Sequence, residues 1–150
     1  MKVVLDTNVF LNVKNKEKLF YPYSKEILKA VDNNNNDIQA IISIISITEL
    51  CIGYYKNNEI IEKNEFISGL LSNKNYKICE YDLNLADKTA DLRSKLNLKL
   101  PDCMIIATAL IENSKCLITN DIEFKKAEKF LVIHSSQEFC EKYLNKEPKG

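Results

Sequence analysis

Four acidic residues stand where short apolar runs end or where helical spacing begins. Asp6 closes the run Val3-Val4-Leu5 in MKVVLDTNVFLN, Glu49 lies in SIISITELCIGYY, Asp102 in LKLPDCMIIATAL and Asp121 in KCLITNDIEF. Two carboxylates about 4 Å apart repel by about 4 kcal/mol at an effective dielectric near 20. Four brought together would destabilise a fold unless protonation or a cation relieved them. A hard, all-oxygen set without Cys or His suits Mg²⁺ or Mn²⁺. Each acid taken singly also has a plain structural use. Asp6 with Asn8 can make an Asx-type turn, and Ser46-x-x-Glu49 matches a capping box. Asp102 can complement a helix dipole, and Asp121 can cap a short helix containing Phe124. Convergence decides between the two readings.

The elements that must position these acids read as alternating strands and helices. Short apolar runs predict strands at Lys2–Leu5, Ile38–Ile45, Tyr76–Cys79, Cys116–Ile118 and Phe130–Ile133. Helical spacing predicts helices over Ser24–Val31, Ile47–Tyr54, Leu83–Leu96, Pro101–Asn113 and Ser136–Leu144. Alternation of this kind implies an α/β fold with a mostly parallel sheet covered by helices on both faces. The carboxyl ends of parallel strands share one edge, where open α/β folds bind ligands. Asp6, Glu49 and Asp121 therefore converge if the strands are placed correctly. Pro101 suits a first helical position, which puts Asp102 in the first turn of a helix apolar almost all round. Asp82 reads as an N-cap, while Asp87 and Asp91 fall on a solvated face. Glu123 reads either as exposed or as an outer partner of the acid site, and His134 as structural. Asn33–Asn36 reads as a surface turn.

Bulk properties set the outer bounds. The chain has 150 residues, 45% hydrophobic and 28% charged, with 21 basic and 21 acidic residues in balance. This length suits one domain over residues 1–144 with a polar tail at 145–150, and can bury about 70% of its unfolded surface. A zero net charge offers no global field for nucleic acid, so any such site must be a local patch. All but one of the basic residues are Lys, the exception being Arg93. Cys51, Cys79, Cys103, Cys116 and Cys140 lie in or beside apolar stretches and never as C-x-x-C, which favours reduced core thiols. One histidine makes a Cys/His zinc site or a His-based triad hard to build. The absence of a leader-like start or a long apolar span implies a cytoplasmic protein with no membrane partner.

From Lys2 to about Leu144, the stretches VVLDTNVFL, SITEL, LPDCMIIATAL and LITNDIEF resemble, in order and spacing, the four acidic motifs of PIN-domain nucleases. The resemblance is nearest to the small toxins of VapBC-type toxin–antitoxin modules. It implies a three-layer α/β/α fold on a five-stranded sheet and Mg²⁺- or Mn²⁺-dependent endonuclease activity on RNA. It makes Asp6 and Asp102 principal metal ligands, with Glu49 and Asp121 completing the pocket. Asn8, Thr119 and Asn120 match the polar positions beside the first and last acids. It also implies an antitoxin partner that covers the site and a homodimer, for which Ile47–Leu71 could supply an apolar surface. An acidic pocket repels RNA, so basic residues at its rim must offset the phosphates. Lys95, Lys99, Lys125, Lys126 and Lys129 are the candidates.

Three other readings are weaker. A haloacid-dehalogenase-like phosphatase needs a second Asp two residues after the first, where this chain has Asn8. A phospho-receiver needs an acceptor Asp at the end of its third strand, where Asp82 is better used as a cap. A catalytically silent PIN-like module that binds RNA or protein would not require all four acids.

Overall fold

The computed structural model describes residues 1–145, and the expected tail beyond Asn145 lies outside the described residues. Lys2–Leu5 forms β1, buried from Val3 onward. It is joined by β2 (Gln39–Ser43), β3 (Tyr76–Cys79), β4 (Cys116–Ile118) and β5 (Ile133–His134). The sheet runs β3-β2-β1-β4-β5, with every pairing parallel. The helices are α1 (Thr7–Lys14), α2 (Tyr21–Asp32), α3 (Ile44–Lys56), α4 (Ile60–Ser72), α5 (Leu83–Lys95), α6 (Leu100–Ile111) and α7 (Ser136–Phe139). A π-helical turn, Cys140–Leu144, extends α7.

Side chains alternate across the strands and so divide the core in two. Val3, Leu5, Ala40, Ile42 and Ile118 face one layer, packing with Val9 and Phe10 of α1, Ile27 and Val31 of α2, and Phe139 of α7. Val4, Ile41 and Leu117 face the other, against Leu85 and Leu92 of α5 and Ile105 and Ile106 of α6. The result is the expected three-layer α/β/α arrangement. Among the described residues no helix is long and apolar enough to cross a membrane, and all five cysteines are free thiols.

Several boundaries differ from the sequence reading. The second strand stops at Ser43, and α3 begins at Ile44 rather than Ile47. Ile44 and Ile45 suit a buried strand or a buried helix equally, and periodicity does not separate the two. Ser43 is therefore the N-cap and Ser46 lies inside the first turn, so the Ser46–Glu49 capping box does not form. The fifth strand is Ile133–His134 rather than Phe130–Ile133, because Phe130 is held in a turn by its N–H donating to Ala127 O. Two helices, α1 and α4, were not anticipated from spacing. Asp6 caps α1 instead of making an isolated Asx turn.

Asp82 does cap α5: its carboxylate accepts from Leu85 N at 2.8 Å. Asp82→Ala is expected to cost about 1 kcal/mol, read as a lower urea midpoint at unchanged m-value. Asn34 and Asn36 take left-handed backbone in the turn before β2, which asparagine tolerates better than most residues.

Candidate active site

The chain winds from β1 out to β2 and β3 on one side, then returns to β4 and β5 on the other. The crevice between the carboxyl ends of β1 and β4 is thus a topological switch point, where an open parallel sheet exposes a site. Asp6 follows β1 and donates its backbone N–H to Ile118 O, the last residue of β4, at 3.0 Å. Thr119, Asn120 and Asp121 continue directly from β4. Sheet register alone therefore brings the first and last acidic motifs side by side.

Asp6 is only 5% exposed. Its Oδ1 accepts from Thr7 N at 2.7 Å and its Oδ2 from the Thr119 hydroxyl at 2.8 Å. Those bonds favour the ionised form, yet burial outweighs them and raises the carboxyl from 3.8 to about 7, with Asp102 and Glu49 adding repulsion. Asp102, half-buried in the first turn of α6, is also raised, first by burial and then by Asp121 and Glu49. Each acid thus feels its neighbours across one space.

That space is a cleft of about 260 Å³ lined by Asp6, Asn8, Glu49, Lys99, Asp102 and Asp121, with Thr7, Leu11 and Pro101. All four predicted acids meet there, each from a different element. Glu49 stands in the second turn of α3, where its Oε1 accepts from the Thr7 hydroxyl at 2.8 Å. Ser46 Oγ lies 2.9 Å from the same hydroxyl oxygen, so its rotatable proton can complete the chain. Asp121 caps the short helix Ile122–Ala127 through Glu123 N at 3.0 Å and still lines the cleft. For Asp121 the structural and the functional roles coexist.

The polar residues beside the acids are tied into one network. Asn8 Nδ2 donates to Thr119 Oγ1 at 3.4 Å, and Asn120 N donates to Asn8 Oδ1 at 3.3 Å. A carboxamide does not ionise, so Asn8 cannot serve as the general acid that the phosphatase reading needs at this position. Asn120 turns inward: its Nδ2 donates to Asn12 Oδ1 at 2.8 Å, and its Oδ1 accepts from Ser136 N at 2.9 Å and Ser136 Oγ at 2.8 Å. Thr7, Asn12, Ser24 and Ser136 belong to this network without being singled out by the sequence, and Ser46, read there as a cap, belongs to it too. Asn12 carried a signal, since it lies one turn after Asn8 on the same face of α1, between apolar residues.

The basic candidates separate. Lys99 lines the acid cleft. Lys95 is paired with Asp91 at 2.8 Å and Lys126 with Glu123 at 2.6 Å. Lys125 is engaged by Glu128 and Glu138 and lines a different depression, beside His134. Lys129 lies over the Phe130 ring.

The donor set suits a hard divalent cation in its chemistry, because carboxylates line the cleft and no thiolate or imidazole does. Among the described residues no three His, Cys, Asp or Glu side chains are grouped closely enough to enclose an ion by themselves.

Residues 3–130 match the family model described as PIN domain. No curated protein matches the chain. Among solved structures, a toxin–antitoxin complex from Klebsiella pneumoniae superposes with a TM-score of 0.66 at 22% identity, covering 89% of this chain and 97% of that one. VapBC2 from Rickettsia felis, bound to a DNA fragment from its promoter, gives 0.69 at 24% identity, covering 90% and 98%. DNA-bound VapBC from Salmonella typhimurium gives 0.68 at 21% identity, covering 91% and 98%. At these identities the likeness is one of fold.

Proposed function

The chain belongs to the PIN domain family, and from that premise we propose that it is a metal-dependent endoribonuclease. Residues 1–144 act as one nuclease domain that hydrolyses RNA phosphodiester bonds. The observation that carries this reading is the meeting of Asp6, Glu49, Asp102 and Asp121, from four elements, around one cleft at the sheet's switch point. Asp6 and Asp102 hold the cation, with Asp121 and Glu49 completing the pocket. A bound Mg²⁺ or Mn²⁺ supplies the Lewis acidity that activates water and offsets phosphate charge. The chain's own part is positional. Thr7 N–H and the Thr119 hydroxyl take one lone pair on each Asp6 oxygen and lock its rotamer, leaving the others for the cleft. The Thr7 hydroxyl orients Glu49 in the same way.

Incubation with end-labelled tRNA and mRNA pools tests the proposal. Discrete cleavage with Mn²⁺ or Mg²⁺, none with EDTA, and 5′-phosphate ends are expected, because water rather than the RNA 2′-hydroxyl attacks. Binding without cleavage under every metal condition would leave a silent module in its place. Thr7→Val should lower cleavage by about 10- to 100-fold, the usual effect of losing a group that orients a ligand. Its stability should fall by only about 1 kcal/mol. Equal cleavage by Thr7→Val and wild type would remove Thr7 from the site.

We further propose that the protein acts in the cytoplasm as the toxin of a type II toxin–antitoxin pair, its antitoxin placing a cation over the acids. The toxin–antitoxin complexes of like fold support this. The exposed apolar residues Ile52, Tyr55, Ile60, Ile61 and Leu71 on α3 and α4 support the homodimer.

A further inference from the structure

A second cleft, of about 360 Å³, adjoins the acid cleft and shares Lys99, Asp102 and Asp121 with it. It is also lined by Arg93, Asn97, Glu123 and Lys126, so the two form one trough that is acidic at one end and of mixed charge at the other. The cations along it are not equivalent. Lys126 is held by Glu123 at 2.6 Å and also donates to Asn97 O at 3.1 Å. Lys99 faces Asp102 and partly offsets the rise of its carboxyl. Lys95 and Lys88, on the same helix as Arg93, both turn to Asp91. Arg93, exposed in the last turn of α5, makes no ion pair among the described residues. It is also the chain's sole arginine.

We infer that Arg93 grips a backbone phosphate of single-stranded RNA outside the scissile position, fixing the strand along this trough; this rests on the ribonuclease reading above. A guanidinium presents a planar fork that matches two phosphate oxygens, whereas an ammonium offers a point charge. A strand carrying a phosphate at every nucleotide sets one against the cation-bearing acids and another against Arg93 at once. A peptide carries no anion at every residue at such regular spacing. The length of the trough and the fork of Arg93 therefore favour RNA over a protein partner. A phosphate contact is blind to sequence, so Arg93 contributes affinity and register and leaves base choice to other residues.

The test is fluorescence anisotropy with a short single-stranded RNA of mixed sequence, in EDTA to prevent turnover, across a salt titration. Each phosphate contact on a single strand adds about 0.7 to the slope of log K against log salt. Arg93→Gln should reduce that slope by about 0.7 and weaken binding about fivefold at 0.1 M salt. The effect should be the same on unrelated sequences. Arg93→Lys should restore the slope but not the full affinity, and Lys88→Gln, outside the trough, should match wild type. An unchanged slope in Arg93→Gln, in a protein whose wild type binds and cuts RNA, would overturn the inference alone. An unchanged slope with weakened capture of a poly-glutamate peptide would reassign Arg93 to a protein partner. A wild type that neither binds nor cuts RNA would remove the ribonuclease reading, and this inference with it.

Discussion

Replacing Asp6 with asparagine is expected to abolish RNA cleavage and to make the metal-free protein more stable above pH 7. The loss of activity should reach at least about a thousandfold, since a metal ion supplies several kcal/mol to the transition state and each 1.36 kcal/mol is a decade. The gain in stability follows from burial. Asp6 is buried and its carboxyl lies at about 7 instead of 3.8, a change worth about 4 kcal/mol at 1.36 kcal/mol per pH unit. Below 3.8 both the folded and the unfolded chain carry the proton and the residue is neutral to stability. Between 3.8 and about 7 the unfolded chain has lost that proton while the folded one keeps it, so stability falls as pH rises. Above 7 the whole cost is present.

Asparagine carries no such cost. It keeps the bond from Thr7 N but turns an amide N–H₂ toward Thr119, which offsets about 1–3 kcal/mol. The variant should therefore be more stable than wild type by about 1–3 kcal/mol above pH 7. The advantage should shrink as the pH falls below 7 and reverse near pH 4, where the ionisation cost is gone and only the amide mismatch of about 1–3 kcal/mol is left. Urea midpoints of both proteins in EDTA across that range measure it. A difference independent of pH would mean that Asp6 ionises normally. Added Mg²⁺ should stabilise wild type by mass action and leave the variant unmoved.

Asn120→Ala is expected to be the most damaging change that touches no carboxylate. Asn120 serves three elements at once: it holds Asn12 of α1, accepts from both donors of Ser136 at the start of α7, and its backbone N–H reaches Asn8. Ser136 is fully buried, so alanine leaves its N–H and its hydroxyl without their acceptor, and leaves Asn12 Oδ1 only the Ser24 hydroxyl at 3.4 Å. Each such group costs about 1–3 kcal/mol, giving an expected loss of about 2–6 kcal/mol in a denaturant titration. Cleavage should fall less than in Asp6→Asn, because Thr119 still donates to Asp6. A loss under 1 kcal/mol would mean that water replaces the amide. Asn120→Asp should not rescue stability, since a carboxylate accepts from Ser136 but cannot donate to Asn12.

The acids were legible in the sequence because each sits at an abrupt change from apolar to polar, and because their order resembles one family's motifs. The boundaries around them were less legible. Ile44 and Ile45 continue the apolar run of β2 without a break, so the start of α3 shifted by three residues and Ser46 was cast as a cap. In the structure Ser46 is fully buried, one hydroxyl away from Glu49 through Thr7. The basic rim was the weakest part of the reading. Proximity in sequence to an acid selected Lys95 and Lys125, but helix geometry sends Lys95 to Asp91 one turn back and Lys125 toward Glu128 and Glu138. Arg93, farther from Asp102 in sequence than Lys95, lines the trough beside the candidates Lys99 and Lys126.

By itself the sequence determined the α/β class, because short apolar runs alternate with amphipathic segments and a parallel sheet is the arrangement that buries both faces of such runs. It determined the four acids and their chemical kind for the same reason: residue type and local spacing are properties of neighbours along the chain. Only the tertiary structure decided what those acids touch. Thr7, Ser46, Asn12, Ser24 and Ser136 are small polar residues common in any surface loop, and nothing local marks them as buried. They become a network because the register of β1 against β4 sets Asp6 beside Thr119, and because α1, α2, α3 and α7 pack onto that edge. Hydrogen bonds across 42 and 113 residues of chain hold Glu49 and Asp6 in place. Such contacts depend on where the backbone comes to rest, which no window of sequence contains.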